Sequence, residues 1–304
     1  MNIAVSGGSG FIGSGLVKAL VCQGHDVRVL SRYDRYQDDV ENFQANLCDP
    51  SSQAKLEAFL DRVDVMFHCA GQINDESLMR SLHVDGTQRL IEAAKGRVGR
   101  WVQLSSVGAY GIARASVITE TSPEAPLGIY ETTKTESDEI VRNSGLPFVI
   151  LRPSNVFGNK MTNQSLFQLL SIIRRGLFFL IGKKGAVVNY IHVDDVVSAL
   201  LKCGFHPQAL GNVYNLSQNI DVEQMATACL SGLGVDRTLL RLPEAPFRVM
   251  AFLAGWFPGF PLTASRIDAM TSHCKYDSEK IVKELGFDFE FSLEERLISF
   301  SKSV

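Results

Sequence analysis

The stretch that most constrains this chain is GGSGFIG, Gly7 to Gly13. It follows the short β-branched run that begins at Ile3 and opens an amphipathic stretch that ends near Gly24. Strand, tight turn and helix in that order make the first unit of a parallel α/β sheet. The glycine spacing has a physical meaning at each position. Gly7 permits the tight turn, Gly10 lets the backbone approach a pyrophosphate, and Gly13 lets helix and strand pack closely. The helix N-terminus, with Ser9, Phe11 and Ile12 around it, then faces the phosphates. A glycine-rich turn without a ligand is the competing reading.

The same alternation recurs. Apolar runs at Asp26–Leu30, Val63–Ala70, Arg100–Ser106 and Pro147–Arg152 are separated by helical patterns around Ser52–Leu60, Thr87–Lys95 and Glu136–Val141. With the run at Ile3 these make five strands over the first half, and they call for a Rossmann-type doubly wound parallel sheet covered on both faces. After Pro153 the alternation loosens. Residues 1–157 are expected to form a dinucleotide-binding domain to which 186–217 return, and 158–304 a smaller, mainly helical substrate lobe interleaved with it.

Composition removes several function classes. With a net charge of -3 and a pI near 6.1, the chain lacks the clustered Lys and Arg that a nucleic-acid partner requires. Six scattered cysteines without C-x-x-C spacing suit reduced thiols, not a disulfide framework or a metal site. The N-terminus lacks the basic and apolar regions of a secretion signal, and no window reaches the length of a membrane span, so a cytoplasmic location is expected.

Two Tyr-x-x-x-Lys pairs occur, YETTK at Tyr130–Lys134 and YDSEK at Tyr276–Lys280. Only the first follows a serine motif, LSSVGAYG at Leu104–Gly111, and Ser106 precedes Tyr130 by 24 residues. Together with G-x-x-G-x-x-G, with LRPSNVFG (Leu151–Gly158), YIHVDDVVSAL (Tyr190–Leu200) and GNVYNLS (Gly211–Ser217), these stretches resemble the extended short-chain dehydrogenase/reductase superfamily, in its sugar-nucleotide epimerase/dehydratase branch. The resemblance implies Ser106, Tyr130 and Lys134 as catalytic residues. It implies dinucleotide contacts at Gly7, Ser9, Gly10, Phe11, Ile12, Gly13, Ser31, Arg32, Asn46, Leu47, Cys69, Ala70, Gly71, Leu104, Tyr130, Lys134, Pro153 and Val156. Substrate contacts are expected at Ser106, Tyr130, Asn155 and, by approximate position, Arg266. The branch often pairs through the helix carrying Tyr130 and the one before it, so a homodimer is expected.

The chemistry fits those residue types. A free phenol, with a pKa near 10, is a weak base near neutrality. A lysine one helical turn away and an oxidised nicotinamide would both lower it, bringing Tyr130 to work near pH 7 to 8. Tyr276 and Lys280 are assigned to structure.

Enzymes of this fold that prefer NAD place an acid at the end of the second strand. Here Ser31 and Arg32 stand there, which favours NADP, with Arg35 as a helper; NAD remains the alternative, with Asp34 nearby. His68 is expected to pack structurally, and His83 occupies the place of a frequent Asn. Val188 stands where many nucleotide-sugar epimerases carry an Arg, and Arg174, Arg175, Lys183 and Lys184 offer a basic rim on a substrate loop or a solvated loop flank. The apolar stretch Pro246–Leu262 reads as lid or core packing, a membrane contact or an interface. The expected activity is reduction of a 4-keto sugar nucleotide or 4-epimerisation. The alternatives are an NADPH-dependent reductase of an apolar, steroid- or flavonoid-like carbonyl compound, and a non-catalytic dinucleotide-binding subunit.

Overall fold

The computed structural model describes residues 1–33, 39–112, 116–254 and 264–304, without the side chains at 252–254, 264–266 and 269. Seven strands form the main sheet: β1 Asn2–Ser6, β2 Asp26–Ser31, β3 Glu41–Gln44, β4 Val63–His68, β5 Val98–Leu104, β6 Phe148–Pro153 and β7 Asn212–Leu216. Their spatial order is β7-β6-β5-β4-β1-β2-β3, and every neighbouring pair is parallel.

Strand periodicity explains how one sheet serves two cores. Ile3 and Val5 of β1 join a layer with Leu16, Val17 and Leu20 of the first helix and Val196 and Leu200 of the helix Val193–Phe205. Ala4 between them points the other way, into a layer with Leu56, Leu90, Trp101 and Ile150. Fully burying each such Leu or Ile contributes roughly 2–3 kcal/mol, which offsets the ordering of the chain. The sheet is doubly wound, with helices on both faces.

Six of these strands lie before residue 154, but β3 is not among the apolar runs of the sequence. ENFQ is an edge strand, half exposed, and an edge position does not demand a continuous apolar run. From β1 the chain winds one way to β2 and β3, then crosses to β4 on the other side. The crevice at the carboxyl ends of β1 and β4 is therefore the topological switch point, where open α/β sheets take their ligands.

The C-terminal part builds a third core. Strand Val187–His192 pairs with Asn155–Phe157 and Gln218–Asp221 in a separate three-stranded sheet. Helices Ser165–Arg174, Val222–Leu233 and Leu293–Lys302 close over it with Leu166, Leu170, Met225, Leu297 and Phe300. The last of these helices starts from a capping box in which Ser292 and Glu295 satisfy each other's backbone N–H groups. Among the described residues no helix is long and apolar enough to cross a membrane.

Candidate active site

The glycine turn at the end of β1 is built by close packing on two sides and left bare on the third. Gly7 has φ +72°, and a Cβ there would stand 2.6 Å from the Ala70 backbone nitrogen. At Gly13 a Cβ would stand 2.2 Å from the Gly7 carbonyl oxygen. Packing alone therefore demands those two glycines. Gly10 differs. A Cβ on it would have only the Gly7 oxygen within 4 Å, at 3.1 Å, so this exposed position keeps its face open instead of filling it with protein. Gly10 is also the N-cap of the helix Phe11–Cys22, and no side chain caps that end. The first-turn N–H groups, those of Phe11, Ile12 and Gly13, thus stand ready for an anion. Bare backbone, an uncapped helix end and a left-handed Gly7 suit a dinucleotide pyrophosphate.

The neighbouring strand ends complete the cradle. The Cys69 N–H donates to the Ser6 carbonyl at 3.0 Å, extending β4 by one residue beside β1. Burial pushes the Cys69 thiol up to about 12, so it stays a packed, unreactive thiol. Leu47 is buried against Gly86, and its carbonyl accepts both Arg89 donors, at 2.8 and 2.6 Å. The Asn46 side chain accepts from the Cys48 N–H at 3.1 Å. At the end of β2, Ser31 is buried and accepts from the Tyr33 N–H, while Arg32 is exposed with its guanidinium 5.6 Å from the Tyr33 ring. Asp34 and Arg35 lie outside the described residues.

Across the switch point, β5 ends at Leu104 and turns into Ser106. The Ser106 hydroxyl caps the short helical turn Val107–Tyr110, accepting from the Gly108 N–H at 3.1 Å. The helix Ile129–Arg142 begins against that turn. A Cβ on Gly108 would meet both the Ser106 hydroxyl, at 3.3 Å, and the Glu131 side chain, at 2.7 Å, so the first turn of the helix and the serine loop are brought together. Tyr130 is half-buried in that first turn. One turn further, Lys134 is buried and donates to the Leu104 carbonyl at 2.5 Å.

Without a dinucleotide, the protonation of this pair is governed by burial, and the lowering expected from Lys134 and an oxidised nicotinamide together does not come from the lysine alone. Burial pushes Tyr130 up to about 12, and the carboxylates of Glu131 and Asp138 add to the rise. Burial also lowers Lys134, with Asp138 and Cys69 opposing. The lysine ammonium is aimed at the end of β5, so the phenol stands protonated in the protein alone.

Beneath the helix lies a buried polar layer that the sequence reading missed. Ser105 donates to Asp138 at 2.7 Å, and Arg152 reaches the same carboxylate at 2.8 Å and Glu124 at 2.7 Å. Arg142 also holds Glu124. A second chain runs from Ser6 through His68, Thr87 and Ser137 to Gln103 and Trp101, every link 2.6 to 3.0 Å long. His68 is thereby a structural residue, pushed down to about 3 by burial. The signal was present in the sequence. Thr133, Ser137 and Asp138 fall on the same helical face as Lys134, an inward face made of polar residues instead of leucines.

The substrate side carries fewer fixed groups. Asn155 is exposed and donates to the Asn189 carbonyl at 3.1 Å. Pro153 and Val156 lie at the end of β6 and in the strand after it. Val188 packs against the C-terminal core. The Arg266 side chain and residues 255–262 of the apolar stretch lie outside the described residues, while 246–254 belong to a helix, Glu244–Ala254. Arg174, Arg175, Lys183 and Lys184 are all exposed. In the second Tyr-x-x-x-Lys pair, Lys280 donates to Asn212 and to the Val213 carbonyl and lies 4.9 Å from the Tyr214 ring.

Known proteins are similar to this chain in sequence and in fold. UDP-glucose 4-epimerase of Mycolicibacterium smegmatis is 28% identical over 263 residues, 77% of this chain and 83% of that protein. The 3 beta-hydroxysteroid dehydrogenase/Delta 5-->4-isomerase of Mycobacterium tuberculosis is 25% identical over 336 residues, 97% of this chain and 88% of that protein. Among solved structures, the Bordetella bronchiseptica enzyme WbmG in complex with NAD and UDP superposes with a TM-score of 0.76 at 19% identity, over 98% of this chain and 93% of that one. That likeness shows the fold. Residues 3–217, which carry the glycine cradle, the Ser106 turn and the Tyr130 helix, match the NAD dependent epimerase/dehydratase family, and the chain belongs to it.

Proposed function

We propose that this protein is a dinucleotide-dependent oxidoreductase or epimerase of a nucleotide-linked sugar, reducing a 4-keto sugar or inverting C4 through a keto intermediate. One observation carries the reading. An uncapped glycine cradle at β1 and a Ser106–Tyr130–Lys134 set after β5 flank the same sheet crevice, one suited to phosphates and the other to a carbinol or carbonyl oxygen.

A bound nicotinamide supplies the hydride donor or acceptor. The chain's own residues do the rest. Tyr130 gives its phenolic proton to the substrate oxygen as a carbonyl is reduced and takes it back in the reverse direction. The Ser106 hydroxyl donates to that same oxygen and steadies the charge that develops on it. Lys134, anchored on the Leu104 carbonyl, holds its ammonium at the carboxyl end of β5, beside the crevice. With a phenol pushed up to about 12, Tyr130 stands protonated in the protein alone, the form from which it can hand a proton to a carbonyl oxygen. For the reverse step Tyr130 would first have to lose its proton, which positive charge added in the crevice would favour.

Arg32, exposed at the end of β2, offers a planar fork to a 2'-phosphate, so NADP is the proposed cofactor. A second reading, reduction of an apolar carbonyl compound, draws on Val188 being packed into the apolar core where a charged diphosphate anchor would stand. The steroid dehydrogenase relative also spans nearly all of the chain.

Mass spectrometry of what co-purifies, followed by melting curves with NADP, NAD and nucleoside diphosphate sugars, separates these readings. A ligand at about 100 times its Kd stabilises by about 2.7 kcal/mol, a readily measured shift. Stabilisation by a steroid and by no nucleotide sugar would replace the first reading with the second.

A further inference from the structure

The mechanism leaves unused one buried titratable group that touches both halves of the site. His83 is 1% exposed and lies within a single π-helical turn, Ser81–Asp85. Such turns break the regular helix ladder and are frequent at functional positions. Its Nε2 accepts the Gln72 N–H at 2.9 Å. A backbone N–H can only donate, so Nε2 is unprotonated and a neutral ring carries its hydrogen on Nδ1. That Nδ1–H donates to the Thr133 hydroxyl at 2.8 Å, and Thr133 donates onward to the Ile129 carbonyl at 2.8 Å. The imidazole also meets the Tyr130 ring edge-on, with centroids 5.6 Å apart at 83°. Burial pushes His83 down to about 3, consistent with the neutral form these bonds need.

These contacts make a continuous line. Gly7 packs on Ala70, and the loop that follows Ala70 is drawn together by the Gln72 side chain, which accepts the N–H groups of Ile73 and Asn74 at 2.9 and 3.0 Å. The Gln72 backbone holds His83, and His83 holds the first turn of the Tyr130 helix through Thr133. Both ends of the line are functional in the reading above, the dinucleotide turn at one and the acid/base tyrosine at the other.

We propose that His83 is a positioning residue that ties the Gly71–Asn74 loop to the first turn of the Tyr130 helix, so that dinucleotide binding at the glycine cradle sets the placement of the Tyr130 hydroxyl. The inference rests on the dinucleotide-dependent reading, not on the identity of the substrate. A phenylalanine at this position keeps the ring and its edge contact and removes both hydrogen bonds. An asparagine keeps a polar group near Nδ1, toward Thr133, and loses the reach to Gln72.

The test measures calorimetric affinity for NADP+ and NAD+, together with the 13C signal of the Tyr130 phenol, assigned with Tyr130→Phe and followed with and without saturating dinucleotide. His83→Phe should weaken dinucleotide binding by about tenfold and abolish most of the response of the Tyr130 signal to dinucleotide. His83→Asn should weaken binding similarly while recovering part of that response. Thr133→Val, which leaves the Gln72 bond in place, should change affinity by less than about threefold and still blunt the response. Should His83→Phe fail to fold, Thr133→Val decides. Wild-type affinity and a full Tyr130 response in the variants would overturn the proposal, even if their melting temperatures fall. Because neither readout needs a substrate, failure of every nucleotide sugar to react would count against the proposed activity and leave this test standing.

Discussion

The two walls of the crevice are built on opposite principles. The β1 wall works by omission: Gly7 and Gly13 lack side chains because backbone fills their space, and Gly10 leaves space open for a ligand. The Tyr130 wall works by saturation. Its helix buries Thr133, Lys134, Ser137 and Asp138 on a face that would be apolar in an ordinary surface helix, and nearly every polar group there has a named partner. A site that moves a proton needs its groups held in fixed directions, and hydrogen bonds give direction where apolar packing does not. A site that binds a pyrophosphate through backbone N–H groups needs only a bare turn of fixed shape.

The difference can be broken at either wall. The largest effect is expected at the saturated one. Asp138→Ala removes the buried partner of Arg152 and Ser105 and should cost about 3–5 kcal/mol in stability, read as a lower denaturant midpoint at unchanged slope. A loss below about 1 kcal/mol would mean that the layer is not a working network. At the bare wall, Gly13→Ala forces a Cβ against the Gly7 carbonyl. Dinucleotide affinity should fall about a hundredfold, near 3 kcal/mol. Unimpaired titration with NADP and NAD would show that the turn does not carry the ligand.

The pH dependence of stability sharpens the same contrast. His68 and His83 are pushed down to about 3 in the fold against about 6.5 in the unfolded chain, so the unfolded state binds more protons between those values. Stability is fully present above pH 6.5 and falls as pH drops, by about 1.4 kcal/mol per unit for each histidine. Asp195, pushed up to about 6 by burial, acts in the opposite sense and gains stability as pH falls from 6 toward 4. The net slope should therefore be positive with rising pH, and chemical denaturation at pH 4.5, 5.5 and 6.5 measures it. A flat profile would contradict neutral buried histidines. The smallest effect is expected at the rim. Arg32→Ala should weaken NADP binding by about tenfold and NAD binding by less than about twofold; equal losses would remove the 2'-phosphate role.

How much of this was legible in the sequence follows from the same division. Glycine spacing and β-branched runs are local signals, and they disclosed β1, the turn, the doubly wound sheet and the order Ser106, Tyr130, Lys134. The edge strand Glu41–Gln44 was hidden because half-exposed edges do not need apolar runs. The polar face of the Tyr130 helix was legible, but its partners were hidden because they are far apart in sequence. Thr87 and Ser137 are 50 residues apart, as are His83 and Thr133, and only the fold brings them within hydrogen-bond distance. The effect of burial on Tyr130 in the protein alone was hidden for a related reason. Its charge environment depends on burial and on where the Lys134 ammonium points, and helical spacing reports neither.

The central claim is that the bare wall binds a nicotinamide dinucleotide and Tyr130 exchanges a proton with a nucleotide-linked sugar beside it. Nicotinamide absorbance in the dinucleotide-loaded protein, recorded on mixing with nucleoside diphosphate sugars and their 4-keto forms, tests it most directly. The wild-type protein should show a substrate-dependent change. Tyr130→Phe should bind the dinucleotide with nearly the same affinity and show that change about 10² to 10⁴ times more slowly. A wild-type rate in Tyr130→Phe, or no change with any nucleotide sugar in the wild type, would contradict the account.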